Sequence, residues 1–410
     1  MLITLSLIGL MVLVPVWGVA HYLHWFSDYE LPPIEEAELP NAAIILAARG
    51  ASPTLNECLT RLAGQDYPRY QVYAVIDHPT DPANAIIQEW SAKNPGTSLE
   101  ISYLENPLSN AYLKTSAVMQ CIGSLPDNVG AVVLADADTL TYPTWLRDLI
   151  RPLLVEGVGL VTGNRWYDPT VHSVGGLTRF FYNTLCVPPM YFIRATWGGS
   201  LAIKRSLFNT ESYHDGIADS FSEEVIFQKL TRHAGLSIEV QPDVMILNQE
   251  SCSLSAVFNF MKRQLLWTRL YHPGWIPLLI GLSLVYIVFT GFLCVGVCGL
   301  ISGYGRLGGI MLGGLVLEII SCQILSEWLH RSISRRALKV QGIEFPKIDW
   351  PARCRMLGVL PVSFVIISYA MFAAAIAKRV KWSGITYEVI PPDGIHMLEY
   401  LTMNEVSKTP

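Results

Sequence analysis

Val132-Val133-Leu134-Ala135-Asp136-Ala137-Asp138 is the stretch on which the reading of this chain turns. Apolar residues, two of them β-branched, run into two carboxylates one residue apart. A short apolar run of this kind predicts a buried strand. Its carboxyl end then carries Asp136 and Asp138, and open α/β sheets bind ligands at the carboxyl ends of their strands. Two hard oxygen ligands on one turn suit Mg²⁺ or Mn²⁺ shared with a substrate diphosphate. Taken alone, an Asp-x-Asp is more simply a strand end followed by a helix cap. Its surroundings decide.

Outward from this strand, apolar and amphipathic runs alternate from residue 41 to residue 272. Ala42–Ala47 predicts a strand. Thr54–Gly64 predicts a helix with Leu55, Leu59 and Leu62 on one face. Gln71–Ile76 is the next strand and Ala83–Lys93 the next helix; Leu99–Tyr103, a helix from about Leu113, and Ala131–Ala135 continue the series. Strand–helix alternation at this spacing predicts an α/β domain with a mostly parallel, Rossmann-like sheet covered on both faces. Polar groups should then gather along one sheet edge: Arg49 after the first strand, Asp77 after the second, Asp136 and Asp138 after the fourth. The chain has no P-loop motif, and residues 41–272 contain no Gly-x-Gly-x-x-Gly, so neither a P-loop nor a dinucleotide fold is supported there.

Of the 410 residues, 51% are hydrophobic and only 15% charged, below the roughly 25% of a soluble domain. Residues 1–27, the span between Arg269 and Arg306, and the span between Arg355 and Lys378 hold no Asp, Glu, Lys or Arg. Each is long enough for a membrane-crossing helix, which takes about 20 apolar residues. Gly308–Ser326 is a fourth candidate and carries a single charge, Glu318. A carboxylate there is costly; it marks either function or a bundle-facing group with a polar partner such as Gln323. Residues 1–27 have no basic residue before the apolar run, and they read as a retained anchor, not a cleaved signal peptide. The eight cysteines are scattered, with no Cys-x-x-Cys, which argues against a zinc site or a disulfide framework and fits a reducing, cytosolic side. The net charge of −5 excludes a generally basic nucleic-acid binder. The expected organisation is a transmembrane anchor (1–27), an acidic linker (28–40), the α/β domain (41–272), transmembrane helices (273–326), a basic cytosolic or interfacial segment (327–355), a transmembrane or re-entrant helix (356–377) and a tail (378–410).

Several stretches stand in a telling order: "AIILAARGASPTLNECLTRLAGQDYPRYQVYAVIDHPTDPA", "VVLADAD", "GNRWYDP", "WGGSLAIKRSLF", "SFSEEVIFQKL", "RQLLWTRL" and, late in the chain, "VKWSGITYEV". Together they resemble the family 2-like glycosyltransferases of the GT-A fold, in particular the membrane-bound ceramide glucosyltransferase group and its bacterial relatives that glycosylate lipids, hopanoids included. The resemblance covers residues 41–272 and the tail motif. It implies that Asp77 contacts the nucleoside, that Lys114 lies near the uracil or phosphates, and that Asp136 and Asp138 hold the metal. It further implies that Glu224 is the general base and that Arg263 and Trp267 close over the donor diphosphate. There are two departures. Glu224 stands where the family has Asp, which keeps the chemistry and lengthens the side chain. Leu266 stands where the (Q/R)-x-x-R-W motif has its inner Arg, which removes a fixed cation; Arg269 or Lys262 could compensate.

The residues themselves supply the parts such a reaction needs. A leaving diphosphate must be neutralised, by a divalent ion on Asp136 and Asp138 with Lys114 and Arg263 as further cations. An acceptor hydroxyl must lose its proton to a carboxylate, and Glu223 and Glu224 open a helix-like stretch that offers two. Trp197-Gly198-Gly199-Ser200 offers an aromatic face and close backbone approach for a sugar. Each feature alone has a plainer reading, as helix start, core aromatic or membrane-flank charge; together they favour catalysis. One carboxylate base without a second nucleophile favours direct displacement with inversion; the apolar segments favour an acceptor dissolved in the bilayer, and the resemblance implies a UDP-hexose donor. The alternatives are a processive polysaccharide synthase, which the few crossings disfavour, and a catalytically silent membrane scaffold, which Leu266 raises. The basic residues of 327–355 favour the cytosol, as does the catalytic domain that meets nucleotide sugars there, giving a multi-pass protein with a cytosolic domain. Lys378, Arg379 and Lys381 put the tail there too, in conflict with a single crossing at 356–377.

Overall fold

The apolar run around Val132 forms strand β4 (Val129–Asp136), at the centre of a seven-stranded sheet. The other strands are β1 (Asn41–Ala48), β2 (Tyr70–Ile76), β3 (Leu99–Tyr103), β5 (Val158–Tyr167), β6 (Ser200–Lys204) and β7 (Ser237–Asn248), in the order β3-β2-β1-β4-β6-β5-β7. The computed structural model describes residues 2–33, 35–209, 222–272, 274–390 and 394–407. β1 to β4 are mutually parallel along their pairings, whereas β6 runs antiparallel to both β4 and β5. Strands covered on both faces read as unbroken apolar runs, and Ile44, Ile45, Val132, Val133 and Leu134 are fully buried accordingly. One face packs on the helices Leu113–Ser124 and Glu223–His233 through Val118, Ile122, Ile226 and Phe227. Local signals fix the helix starts: Asp81 caps Pro82–Lys93 by accepting from the Ala83 N–H, with Pro82 at the first helical position.

The chain divides into two units. The α/β unit comprises Glu30–Arg165, Arg194–Asn248 and Ala377–Pro410; the helical unit comprises Met1–Tyr29, Trp166–Ile193 and Gln249–Ile376. The α/β unit thus includes the tail, and the helix Leu254–Tyr271, which the sequence assigns to the α/β domain, belongs to the helical unit. The tail forms a small antiparallel sheet of β8 (Arg379–Trp382), β9 (Ile385–Ile390) and β10 (Gly394–Tyr400).

In the helical unit, four helices among the described residues are long and apolar enough to cross a membrane: Ser6–Asp28, Trp275–Ile301, Gly305–Gln341 and Trp350–Ala375. The third does not stop at residue 326 but runs on through the basic residues to Gln341. Glu327 supports that continuation by pairing with Arg331 at 3.0 Å one turn on, and with Arg353. Glu318 is buried and accepts from the thiol of Cys322 at 3.4 Å, while Gln323 donates to Glu327 instead. Trp275–Ile301 and Gly305–Gln341 meet across glycines; a Cβ on Gly308 would stand 2.7 Å from the Gly296 carbonyl oxygen. Small residues permit that approach where lipid offers no hydrophobic drive. All eight cysteines are free.

Candidate active site

Sheet register assembles the site. β1 aligns Ala48 with Ile76 of β2 and Ala47 with Asp136 of β4, so Arg49, Asp77 and Asp136 emerge along one edge. β6 begins beside the end of β4, with Ser200 opposite Ala135, which sets Trp197, Gly198 and Gly199 next to Asp136–Asp138. β5 returns beside β6, with Thr162 opposite Leu201, and carries Arg165 to the same place.

Four carboxylates and two cations converge there. Lys114 Nζ donates to Asp136 Oδ1 at 2.7 Å, lies 2.7 Å from Glu223 Oε1, and reaches the Gly198 carbonyl at 3.3 Å. Burial pulls the Lys114 ammonium pKa down, but the carboxylates of Asp136, Glu223 and Glu224 outweigh it and hold the pKa above the ordinary lysine value. Glu223 is buried, with Oε2 accepting from Thr115 Oγ1 at 2.9 Å. Glu224 keeps partial exposure, and its Oε1 accepts from the Gly198 N–H at 3.0 Å. Burial and then repulsion from Glu223 push the Glu224 carboxyl up to about 7, against the pull of Lys114. The glycines are required by contact: a Cβ on Gly198 would lie 2.6 Å from Glu224 Oε1, and one on Gly199 2.1 Å from Trp197 and 2.6 Å from Asp136 Oδ2. Thr139 braces the turn, its hydroxyl donating to the Gly199 carbonyl at 3.1 Å.

Arg165, which the sequence reading left without a role, spans both aspartates. Its Nη2 lies 2.9 Å from Asp138 Oδ1 and 3.3 Å from Asp136 Oδ2, its Nη1 lies 3.1 Å from Asp138 Oδ2, and its guanidinium sits 4.6 Å from the Trp197 ring centre. The signal was present as a lone Arg at the end of the apolar stretch Val158–Trp166. As a metal site, the Asp136–Asp138 pair offers only carboxylate oxygens, the donor chemistry of Mg²⁺ or Mn²⁺. Among the described residues, no three His, Cys, Asp or Glu form a closed metal cage. The donor set therefore fits an ion completed by substrate oxygens.

Asp77 and Arg49 pair with each other, and the tail covers them. Tyr400 Oη donates to Asp77 at 3.1 Å, and Arg49 donates to the Ser383 carbonyl at 2.8 Å and to the Leu401 carbonyl. Ser383 and Gly384 both have positive φ, 49° and 81°, and form the two-residue turn between β8 and β9. That turn is what aims the Ser383 carbonyl, and it explains the glycine of the late "VKWSGITYEV" stretch. Tyr387 Oη accepts from the Leu113 N–H at 3.2 Å, one residue before Lys114. Tyr400→Phe should lower stability by about 1.5–3 kcal/mol, the scale of a hydrogen bond to a charged group. Thermal or denaturant unfolding of the purified protein measures this.

Of the remaining candidates, one is buried in the α/β unit and two belong to the helical unit. Ser200 is fully buried, and its hydroxyl accepts from the Trp145 indole N–H at 2.8 Å. Arg263 and Trp267 lie one turn apart on the helix Leu254–Tyr271 of the helical unit. Leu266, on the same helix, is fully buried, and Arg269 donates to the Ala374 carbonyl at 2.9 Å. Ser220 and Phe221, which open the "SFSEEVIFQKL" stretch, lie outside the described residues.

Residues 7–394 match the sequence profile described as glycosyl transferase family 21. Among solved structures, the chain is similar to a mannosyltransferase from Pyrobaculum calidifontis in complex with GDP-Man and Mn²⁺. The two are 16% identical, with 91% of this chain and 97% of that one covered at a TM-score of 0.50. It also matches glucosyl-3-phosphoglycerate synthase of Mycobacterium tuberculosis at 16% identity, covering 56% of this chain and 82% of that one, with a TM-score of 0.38. At 16% identity the likeness to the mannosyltransferase speaks to the fold alone, which is the GT-A fold.

Proposed function

The chain belongs to glycosyl transferase family 21, and from that premise we propose that it transfers a hexose, with inversion, from a UDP-sugar to a lipid held in the membrane. Glu224 takes the acceptor proton: its carboxyl sits near neutrality and is aimed by the Gly198 N–H. Asp136 and Asp138 would hold Mg²⁺ or Mn²⁺, which when bound supplies charge neutralisation for the leaving diphosphate. Lys114 ties Asp136 to Glu223, so the two halves of the chemistry share one strut. Arg49 and Asp77 serve the nucleoside end, and Arg263 and Trp267 serve the diphosphate. Trp197, Gly198 and Gly199 border the sugar.

The acceptor class rests on one observation. The helix Trp275–Ile301 turns Ile276, Ile280, Leu284 and Ile287 outward, each more than half exposed. An exposed apolar surface of this extent belongs in lipid. The protein is then multi-pass, with its catalytic unit on the cytosolic side, where nucleotide sugars are made. Membranes containing the protein, incubated with a panel of radiolabelled nucleotide sugars, should yield label in the lipid extract. Label appearing only in a water-soluble or polymeric product would overturn the lipid acceptor.

A further inference from the structure

We propose that Arg165 is the resident counter-cation of the Asp136–Asp138 pair. It keeps a divalent ion from settling there alone, and it passes to the diphosphate when nucleotide and ion arrive together. The inference rests on reading that pair as the metal site. The guanidinium lies against three of the four aspartate oxygens, at 2.9, 3.1 and 3.3 Å, and the fourth, Asp136 Oδ1, is held by Lys114 at 2.7 Å. A divalent cation binding the same oxygens must displace Arg165. The side chain is only 13% exposed, so a displaced guanidinium does not simply move into water. A buried charge stripped of its partner is costly. An ion arriving alone imposes that cost, whereas an ion arriving with a diphosphate brings the anionic oxygens that a guanidinium fork pairs with best. Trp197 stacks on the guanidinium plane and keeps it beside the pair through the exchange. Arg165 thereby also provides a fixed cation in a chain that carries Leu266 where its family resemblance leads one to expect Arg.

The test is Mn²⁺ binding to full-length, detergent-solubilised protein, followed by electron paramagnetic resonance of the free ion, without nucleotide and with UDP or GDP. The parent should bind Mn²⁺ weakly alone and at least about tenfold more tightly with a nucleoside diphosphate, the scale of one lost charge contact in a partly screened site. Arg165→Ala should bind Mn²⁺ without nucleotide at least about tenfold more tightly than the parent; a merely unfolded variant cannot show such a gain. Arg165→Lys, a point charge without the fork, should fall between them. Equal Mn²⁺ affinity of parent and Arg165→Ala without nucleotide overturns the proposal and leaves the metal site standing. No Mn²⁺ binding by either protein under any of these conditions overturns the metal site and this proposal together.

Discussion

Glu224→Gln is expected to lower kcat by about 10²–10⁴-fold, the range of general-base catalysis, with donor binding largely retained. The substitution keeps the shape and the Gly198 contact but removes the proton acceptor. The same residue sets a pH dependence. Burial and the neighbouring Glu223 raise the Glu224 carboxyl to about 7, and a base works only when deprotonated. In the parent, kcat/KM should fall by about tenfold per pH unit below that value and level off above it. The Gln variant should lose this limb. Glu223→Gln should affect turnover less and stability more, because Glu223 is buried against Lys114 and Thr115. Single-turnover measurements on both variants decide; a larger rate loss in Glu223→Gln would move the base by one residue.

Asp138→Asn should cost about 10²-fold or more in transfer, because the divalent ion supplies several kcal/mol of charge stabilisation and each 1.36 kcal/mol is about tenfold. Asn keeps the side-chain volume and an acceptor oxygen for Arg165, which Asp136 still neutralises at 3.3 Å, so the fold should persist with a modest loss of stability. Removing divalent ions with EDTA should reproduce the loss, and adding Mn²⁺ back should restore the parent but not the variant. Full activity of Asp138→Asn in chelated membranes would remove the pair from the metal role and leave the fold assignment untouched.

The parallel half of the sheet was legible because its strands are buried on both faces and so read as continuous apolar runs. β1 and β4 extend the predicted strands by only a residue or two at their ends. β6 was not legible: Ser200–Lys204 is short, without alternation, and its antiparallel insertion between β4 and β5 is a matter of long-range pairing. The helix Val174–Ile193 contains Pro188 and Pro189, which read as breakers from sequence. The continuation of Gly305–Gln341 past residue 326 is hidden in the sequence because a run of charged residues is also the ordinary mark of a span's end. In the site, the Asp-x-Asp spacing and the paired glutamates announced themselves by type and order. Arg165 did not, since its meaning lies in the register of β5 against β6. The cover over Asp77 was equally hidden, because Tyr400 lies 323 residues away in sequence.

The tail's attachment carries a consequence of parity. Tyr387 and Tyr400 are bonded to Leu113 and Asp77, so the tail and the sheet are parts of one folded body. Two parts of one body lie on the same face of any bilayer. The chain that leaves this body after Asn248 and re-enters it at Ala377 must then make an even number of traversals. Among the described residues, three helices in that interval, Trp275–Ile301, Gly305–Gln341 and Trp350–Ala375, are long and apolar enough to traverse. Three is odd, so the three cannot all traverse; a helix that enters and leaves by one face would make the count even. Trp350–Ala375, with Pro361 within it, has the irregularity such a path would use. The hydrogen bonds of two tyrosines thus limit how many times a chain of apolar helices can pass through lipid.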